Sequence, residues 1–446
     1  MSKKLQTHGR VGQQSRREFL KLGLAAGAAS AVPFRSAPAV AQAKTHLTYI
    51  SYELTSAAAG PALTSQLRDF EKANPGITVE GIPTPLAQYT AKVEAQARAG
   101  EMPDIATVDV LWLRGWMKQG YLKDLTPYVD KAGGKSFLGQ FYDSLIQLAM
   151  DNGKVYAIPS FAGGYVIYYN TEMYKEAGLD PGKPPTTWEE MLAYCQKLTK
   201  KDASGNTVQW GWGIHGQNIP ADVSRFLQWM YSNGADPISP DGKTALLDQP
   251  KAIETLQFWS ELYNTYHVVP PGAVQAGPGE VRSMFAQKKI AMLLGILWGV
   301  DQVFAENPAV RNVTAIAPFP KQIPNAPSLF QAVYNSVGAN SKHPEQAWKV
   351  LEWFARPETN LALYKATRYG PVRPDVFSRP EVKNDPYAQV QAKVNEHLKP
   401  PPILPQWERV SKIIGDAMQR ALTGAKTPEA AFKEANAQIN PILRQS

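Results

Sequence analysis

Residues 156–174 read YAIPSFAGGYVIYYNTEMY, with five tyrosines, a phenylalanine and a Gly-Gly pair in nineteen positions. Strict alternation puts Tyr165, Ile167 and Tyr169 on one strand face and Val166, Tyr168 and Asn170 on the other. Phenols on both faces leave two readings. Either they are satisfied core on each side of a sheet, or one end of the strand opens on a wet, ligand-sized space. The residues before this stretch alternate strand and helix. Residues 48–51 predict a strand, and Pro61 opens a helix with Leu63, Leu67 and Phe70 inward, stopped by Asn74-Pro75-Gly76. A strand at 77–82 follows, then a helix at 86–98 ending at Gly100, then a strand at 105–108 with Asp109 at its carboxyl end. That rhythm predicts an α/β lobe with a largely parallel sheet.

After the aromatic strand the pattern turns mainly helical. Thr187-Trp188-Glu189-Glu190 forms a capping box ahead of a stripe of Trp188, Met191, Leu192, Cys195 and Leu198, which makes Cys195 a core filler. Further helices are predicted at 221–233, 250–266, 281–287 and 344–354, and strands at 290–294 and 314–318. Trp348, Leu351 and Phe354 share a helix face, so Trp348 reads as core. The Pro-flanked segment TAIAPFP, residues 314–320, suits a second crossing between two lobes. Roughly 400 residues follow the leader described next, enough for two lobes.

The first 43 residues read as an address. Residues 15–21, SRREFLK, precede the weak apolar run LGLAAGAASAVPF and the small residues Ala41-Gln42-Ala43. This is the pattern of a twin-arginine signal cleaved after Ala43, and the run is too short to span a bilayer. The leader carries seven basic residues and one acidic residue, so its removal lowers the net charge from +8 to +2. A nucleic-acid partner is therefore not expected. The single cysteine excludes an internal disulfide and a thiol lipid anchor in the leader. The expected product is a soluble, periplasmic chain beginning at Lys44.

Little in the chain points to catalysis. Six histidines are scattered without HExxH or close pairs, and one cysteine cannot build a thiolate cage, so no metal or other cofactor is expected. Residues 334–338, YNSVG, lack the first glycine of a nucleophile elbow. GWGIHG, residues 211–216, matches G-x-G-x-x-G, but residues 217–220 separate it from the next helix. It reads as a strand and turn whose glycines let Trp210 and Trp212 pack. Glu53 and Asp109 each follow a predicted strand. They could serve a glycoside hydrolase as an acid pair, or accept hydrogen bonds from the hydroxyls of a bound ligand.

The segment GKVYAIPSFAGGYVIYYNTEMYKEAGLD followed by PPTTWEEMLAYCQKL resembles the signature region of family 1 extracellular solute-binding proteins, the maltose-binding group of ATP-driven importers. MPDIATVD, SMFAQKKIAMLLGILW, SKHPEQAWKVLEWFARPE, RYGPVRPDVF and KTPEAAFKEA agree in order across the chain after the leader. The resemblance implies two α/β lobes joined by crossing strands around a central cleft. One lobe would comprise residues 44–160 with 317–357, the other 161–316 with 358–446. It implies a sugar, small oligosaccharide or polyol as ligand and membrane permease subunits as partners, with the twin-arginine translocase handling export. Glycerol 3-phosphate or a glycerophosphodiester is the alternative, needing cations such as Arg373 or Arg225 in the cleft. Motif by motif, Trp298 matches an aromatic plate, Tyr89 a contact opening the second helix, and Asp109 a polar position after P-D-I. Phe161 and Gly163 are expected to border the site at the hinge. Glu53, Tyr369 and Arg373 lie in loops expected at the cleft. Where the family often carries Gly-Gly before a late strand, this chain has Gln331-Ala332.

Overall fold

The computed structural model describes residues 44–444, so the leader predicted at 1–43 lies outside the described part. Its longer strands are β1 (Thr45–Ser51), β2 (Ile77–Pro83), β3 (Ile105–Asp109), β4 (Ile158–Asn170), β5 (Thr207–Gly213), β6 (Ile290–Ile296), β7 (Thr314–Pro318) and β8 (Ser328–Val337). They join one sheet in the order β2-β1-β3-β8-β4-β6-β5, with β7 also paired to β4. Helix α1 (Ala59–Ala73) buries Leu63, Leu67 and Phe70 in the β1–β2 crossover, and α2 (Leu86–Ala99) bridges β2 to β3. Gly100 ends α2 at φ 77°, a left-handed cap that costs glycine nothing. β1 is parallel to both β2 and β3, as the strand–helix rhythm predicts.

The opening stretch folds as a single 13-residue strand, β4. Residues 158–164 pair with β8, and residues 165–170 pair with β6 and β7. The strand changes neighbours between Gly164 and Tyr165, and the cores change there too. Tyr49, Phe70, Trp116, Phe161 and Tyr334 belong to a first core, while Tyr165, Trp212, Trp229 and Trp407 belong to a second. Tyr169 joins the second core, and Tyr168 enters a third on the opposite sheet face with Phe285 and Leu293. The Tyr168 hydroxyl donates to the Ile296 carbonyl and that of Tyr169 to Pro181 at 2.9 Å. Burying a phenol without a partner is costly, and these two are satisfied on either side of the sheet.

The second crossing differs from the sequence reading. Residues 314–318 lie along β4 from Asn170 to Val166, wholly beside the second half of that strand. The chain crosses instead in β8, where Leu329 packs in the second core and Phe330 in the first. The apolar, Pro-flanked pattern of 314–320 fits an edge strand equally well, because both need one buried face.

Three more helices position the cleft described below: α3 (Val110–Lys118), α4 (Trp188–Leu198) and α5 (Pro220–Ser232). Thr187 caps α4 by accepting from the Glu190 amide at 3.2 Å, while the Glu190 carboxylate turns to Thr186. α4 then lies against β5 at the GWGIHG segment. A Cβ on Gly211 would stand 2.3 Å from the Cys195 carbonyl oxygen, and one on Gly216 2.4 Å from that of Ala273. These glycines permit backbone-to-backbone approach, and Trp212 packs buried behind them. Gly211→Ala is expected to cost about 3 kcal/mol, because neither the helix nor the strand backbone can yield. Denaturant unfolding of the variant, with an unchanged midpoint as the contrary result, checks this.

Candidate ligand-binding cleft

Elements of both main cores line a cavity of about 500 Å³. From the first core side come Tyr52, Glu53, Asp109 and Gln331, and Tyr369 joins them. Glu53 follows β1 in a 3-10 turn, its amide donating to Ser51 Oγ at 3.1 Å. Its carboxylate accepts a hydrogen bond from the Tyr369 hydroxyl. Burial pushes the Glu53 pKa up to about 7, and the Asp109 charge adds to this against the Tyr369 bond. Asp109 caps α3, accepting from the Leu111 amide at 2.9 Å and from Gln331 Nε2 at 3.0 Å. Burial still outweighs those bonds and lifts its pKa to about 6.

The other wall comes from α5, from α6 (Pro278–Ala286) and from α7 (Gly299–Glu306), with Trp298 immediately before α7. Trp298 is half-buried and packs against both main cores. Its ring meets Phe161 edge-on at 5.3 Å and Tyr369 at 5.5 Å. Tyr369 in turn stacks on Phe161 at 4.0 Å. Helix α8 (Pro357–Thr367) ends at Arg368 in a left-handed conformation, φ 55°, just before Tyr369. Arg225, Arg282 and Gln302 complete this wall.

Of the residues singled out in the sequence, Glu53, Asp109, Trp298 and Tyr369 line this cavity, as does Arg225, named there for the phosphate alternative. Phe161 and Gly163 form the layer behind it. Phe161 is only 3% exposed, and a Cβ on Gly163 would come within 3.1 Å of the Trp298 ring, so the glycine makes room for the indole. Tyr89 is corrected to the core. It is fully buried, its hydroxyl donates to the Ile50 and Thr107 carbonyls, and Tyr52 stands in front of it at 5.1 Å. Arg373 lies away from the lining as well. It is committed to Asp375, Gln140 and the Ala355 carbonyl, and so braces its loop.

Sequence reading missed Tyr52, Arg282, Gln302 and Gln331 as lining residues. Gln331 had a signal, since it stands where the resemblance calls for glycine. The arginine on α6, between Val281 and Ser283, had none. Among the described residues no helix is long and apolar enough to cross a membrane, and no group of three His, Cys, Asp or Glu side chains is arranged to hold a metal. An indole face, two buried carboxylates and two guanidinium groups suit the recognition of a hydroxyl-rich molecule.

Bacterial extracellular solute-binding proteins match residues 53–361 of this chain as a family. The chain belongs to that family. A binding protein of Brucella abortus is 26% identical to this solute-binding protein over 430 residues, covering 95% of this chain and 98% of its own. The arabinooligosaccharide-binding protein of Bacillus subtilis is 26% identical over 306 residues, 67% of each chain. Among solved structures, a solute-binding protein from Thermotoga lettingae bound with α-D-tagatose superimposes with a TM-score of 0.82 at 26% identity, over 90% of this chain and 100% of that one. The fold is thus the two-lobe α/β architecture of solute-binding proteins. The family and these relatives are binding proteins.

Proposed function

We infer that this solute-binding protein is the receptor of an ATP-driven importer, holding a sugar, small oligosaccharide or polyol between its lobes and delivering it to membrane permease subunits. The observation that carries this reading is Trp298, half-buried on a cavity that also presents the Glu53 and Asp109 carboxylates. A pyranose offers a C–H face to an indole and hydroxyl donors to carboxylates. The proposed lobes are those read from the sequence, residues 44–160 with 317–357 and residues 161–316 with 358–446, with the second boundary moved to the Leu329–Phe330 step of β8 where the cores change. β4 and β8 run between them and supply the hinge, and a ligand touching both walls shifts the population toward the closed form. Leu363, Tyr369 and Val372, past the last boundary, pack on the first core and would tie the returning chain to it.

Leader residues 1–43 are proposed to direct twin-arginine export, with cleavage after Ala43 leaving a periplasmic monomer. Titration calorimetry of the chain beginning at Lys44 against sugars, oligosaccharides and polyols is expected to find a ligand with a dissociation constant of about 1 µM or tighter, with 1:1 stoichiometry. Silence across the panel overturns the receptor reading. New reducing ends appearing while the protein is incubated with its best glycan would favour instead a hydrolase built on Glu53 and Asp109.

A further inference from the structure

Buried and half-buried arginines elsewhere in the protein carry their own carboxylates. Arg114 reaches Asp151 at 2.6 Å, Arg368 reaches Asp301 at 2.6 Å, and Arg373 reaches Asp375 at 2.9 Å. The two arginines in the cleft wall have no carboxylate within hydrogen-bond reach. Arg282 makes no hydrogen bond or close ion pair among the described residues, and the Glu280 and Glu306 carboxylates act on it only from a distance. Arg225 is 7% exposed, donates from one nitrogen to the Ala221 carbonyl at 2.7 Å, and leaves its Nε without a partner. Its nearest carboxylate, Asp222, stands 3.9 Å away, beyond hydrogen-bond reach. Burial pushes the Asp222 pKa up to about 7, so its charge balances Arg225 only in part. The first turns of α5 and α6 also reach this cavity through Ala221 and Pro278, and helix N-termini add positive potential.

A cation partly withdrawn from water without a hydrogen-bonded counter-charge is costly, and a protein that keeps two such cations at a ligand cavity has left a place for one. We propose that the ligand of this cleft is a hydroxyl-rich molecule bearing an oxyanion, a carboxylate or a phosphate, held by Arg225 and Arg282. The inference rests on the receptor reading above and narrows its ligand class. The planar guanidinium fork matches either group in a bidentate manner. The ligand's hydroxyls remain for Glu53 and Asp109. Because burial raises the pKa values of both acids, they repel an incoming anion less than surface carboxylates would.

The test is titration calorimetry at pH 7 with matched pairs: glucuronate against glucose, galacturonate against galactose, and glycerol 3-phosphate against glycerol. At least one anion is expected to bind about tenfold tighter than its neutral partner, and which arm responds separates carboxylate from phosphate. Arg282→Gln should abolish that preference and Arg282→Lys should keep part of it. Should the Gln variant fold poorly, the native protein still decides. Its anion affinity should fall several-fold between about 20 and about 500 mM salt, with the neutral partner little changed. Neutral members binding as tightly as their anions, or a charge preference that survives in Arg282→Gln, overturns the inference and leaves the receptor reading standing. No binding by either set overturns the inference, and the receptor reading falls with it only if the wider panel of sugars, oligosaccharides and polyols is silent too.

Discussion

Trp298→Ala is expected to weaken ligand binding about 100-fold or more, on the order of 3 kcal/mol, because a half-buried aromatic at the centre of a cleft carries a disproportionate share of the binding free energy. Three features single this residue out. It lines the cavity, it packs against both main cores, and its ring is held edge-on by Phe161 and Tyr369. The same contacts mean that truncation also loosens the hinge region. Two controls therefore accompany it. Trp298→Phe keeps an aromatic face and should recover a substantial part of the affinity, while thermal unfolding reports any loss of packing. An alanine variant that binds within twofold of the native protein would show that the indole is packing alone and that the ligand lies elsewhere.

Glu53 and Asp109 make the protein respond to pH in two opposite ways. In the ligand-free protein Glu53 is raised from 4.5 to about 7 and Asp109 from 3.8 to about 6, both by burial. Between the unfolded and folded pKa values the folded chain binds more protons than the unfolded one. Stability present in full below the unfolded values is therefore lost as pH rises through the folded ones. The ligand-free protein should lose up to roughly 3 kcal/mol per carboxylate between about pH 4 and pH 8. Asp222, raised to about 7, adds in the same direction. Affinity for an uncharged, hydroxyl-bearing ligand should move the other way. A hydroxyl donating to a carboxylate favours its ionised form, so binding should tighten by about tenfold per carboxylate engaged as pH climbs from about 5 to about 8. Glu53→Gln removes one titrating group and should flatten both curves. If its stability and affinity profiles keep the native slopes, Glu53 is not the group that titrates. Tyr369→Phe sharpens the test, since losing the hydroxyl that donates to Glu53 should raise its pKa further.

The architecture was largely readable before any coordinates. Alternation in the first hundred residues after the leader gave parallel strands and crossover helices, and the tyrosines of β4 lie on two faces as their spacing requires. Where reading failed, the reason was a neighbour distant in sequence. Gly163 has little room for a side chain because the indole of residue 298 and the Gln391 amide sit over it. Tyr89 opens its helix as a ligand contact would, yet Tyr52 occupies the position in front of it. Arg373 looked available until the carbonyl of Ala355 and the side chain of Gln140 reached it.

Local pattern by itself determined which segments are strand or helix and which face each buries, since those follow from periods of 2 and 3.6 residues and from caps a few positions away. Only the tertiary structure decided which strand crosses between the cores and which polar side chains are left unpaired at the cleft. Pairing is a property of two residues brought together across hundreds of positions. Only the packed chain gives Arg368 a carboxylate at 2.6 Å, that of Asp301, and leaves Arg282 without a hydrogen-bonded one among the described residues.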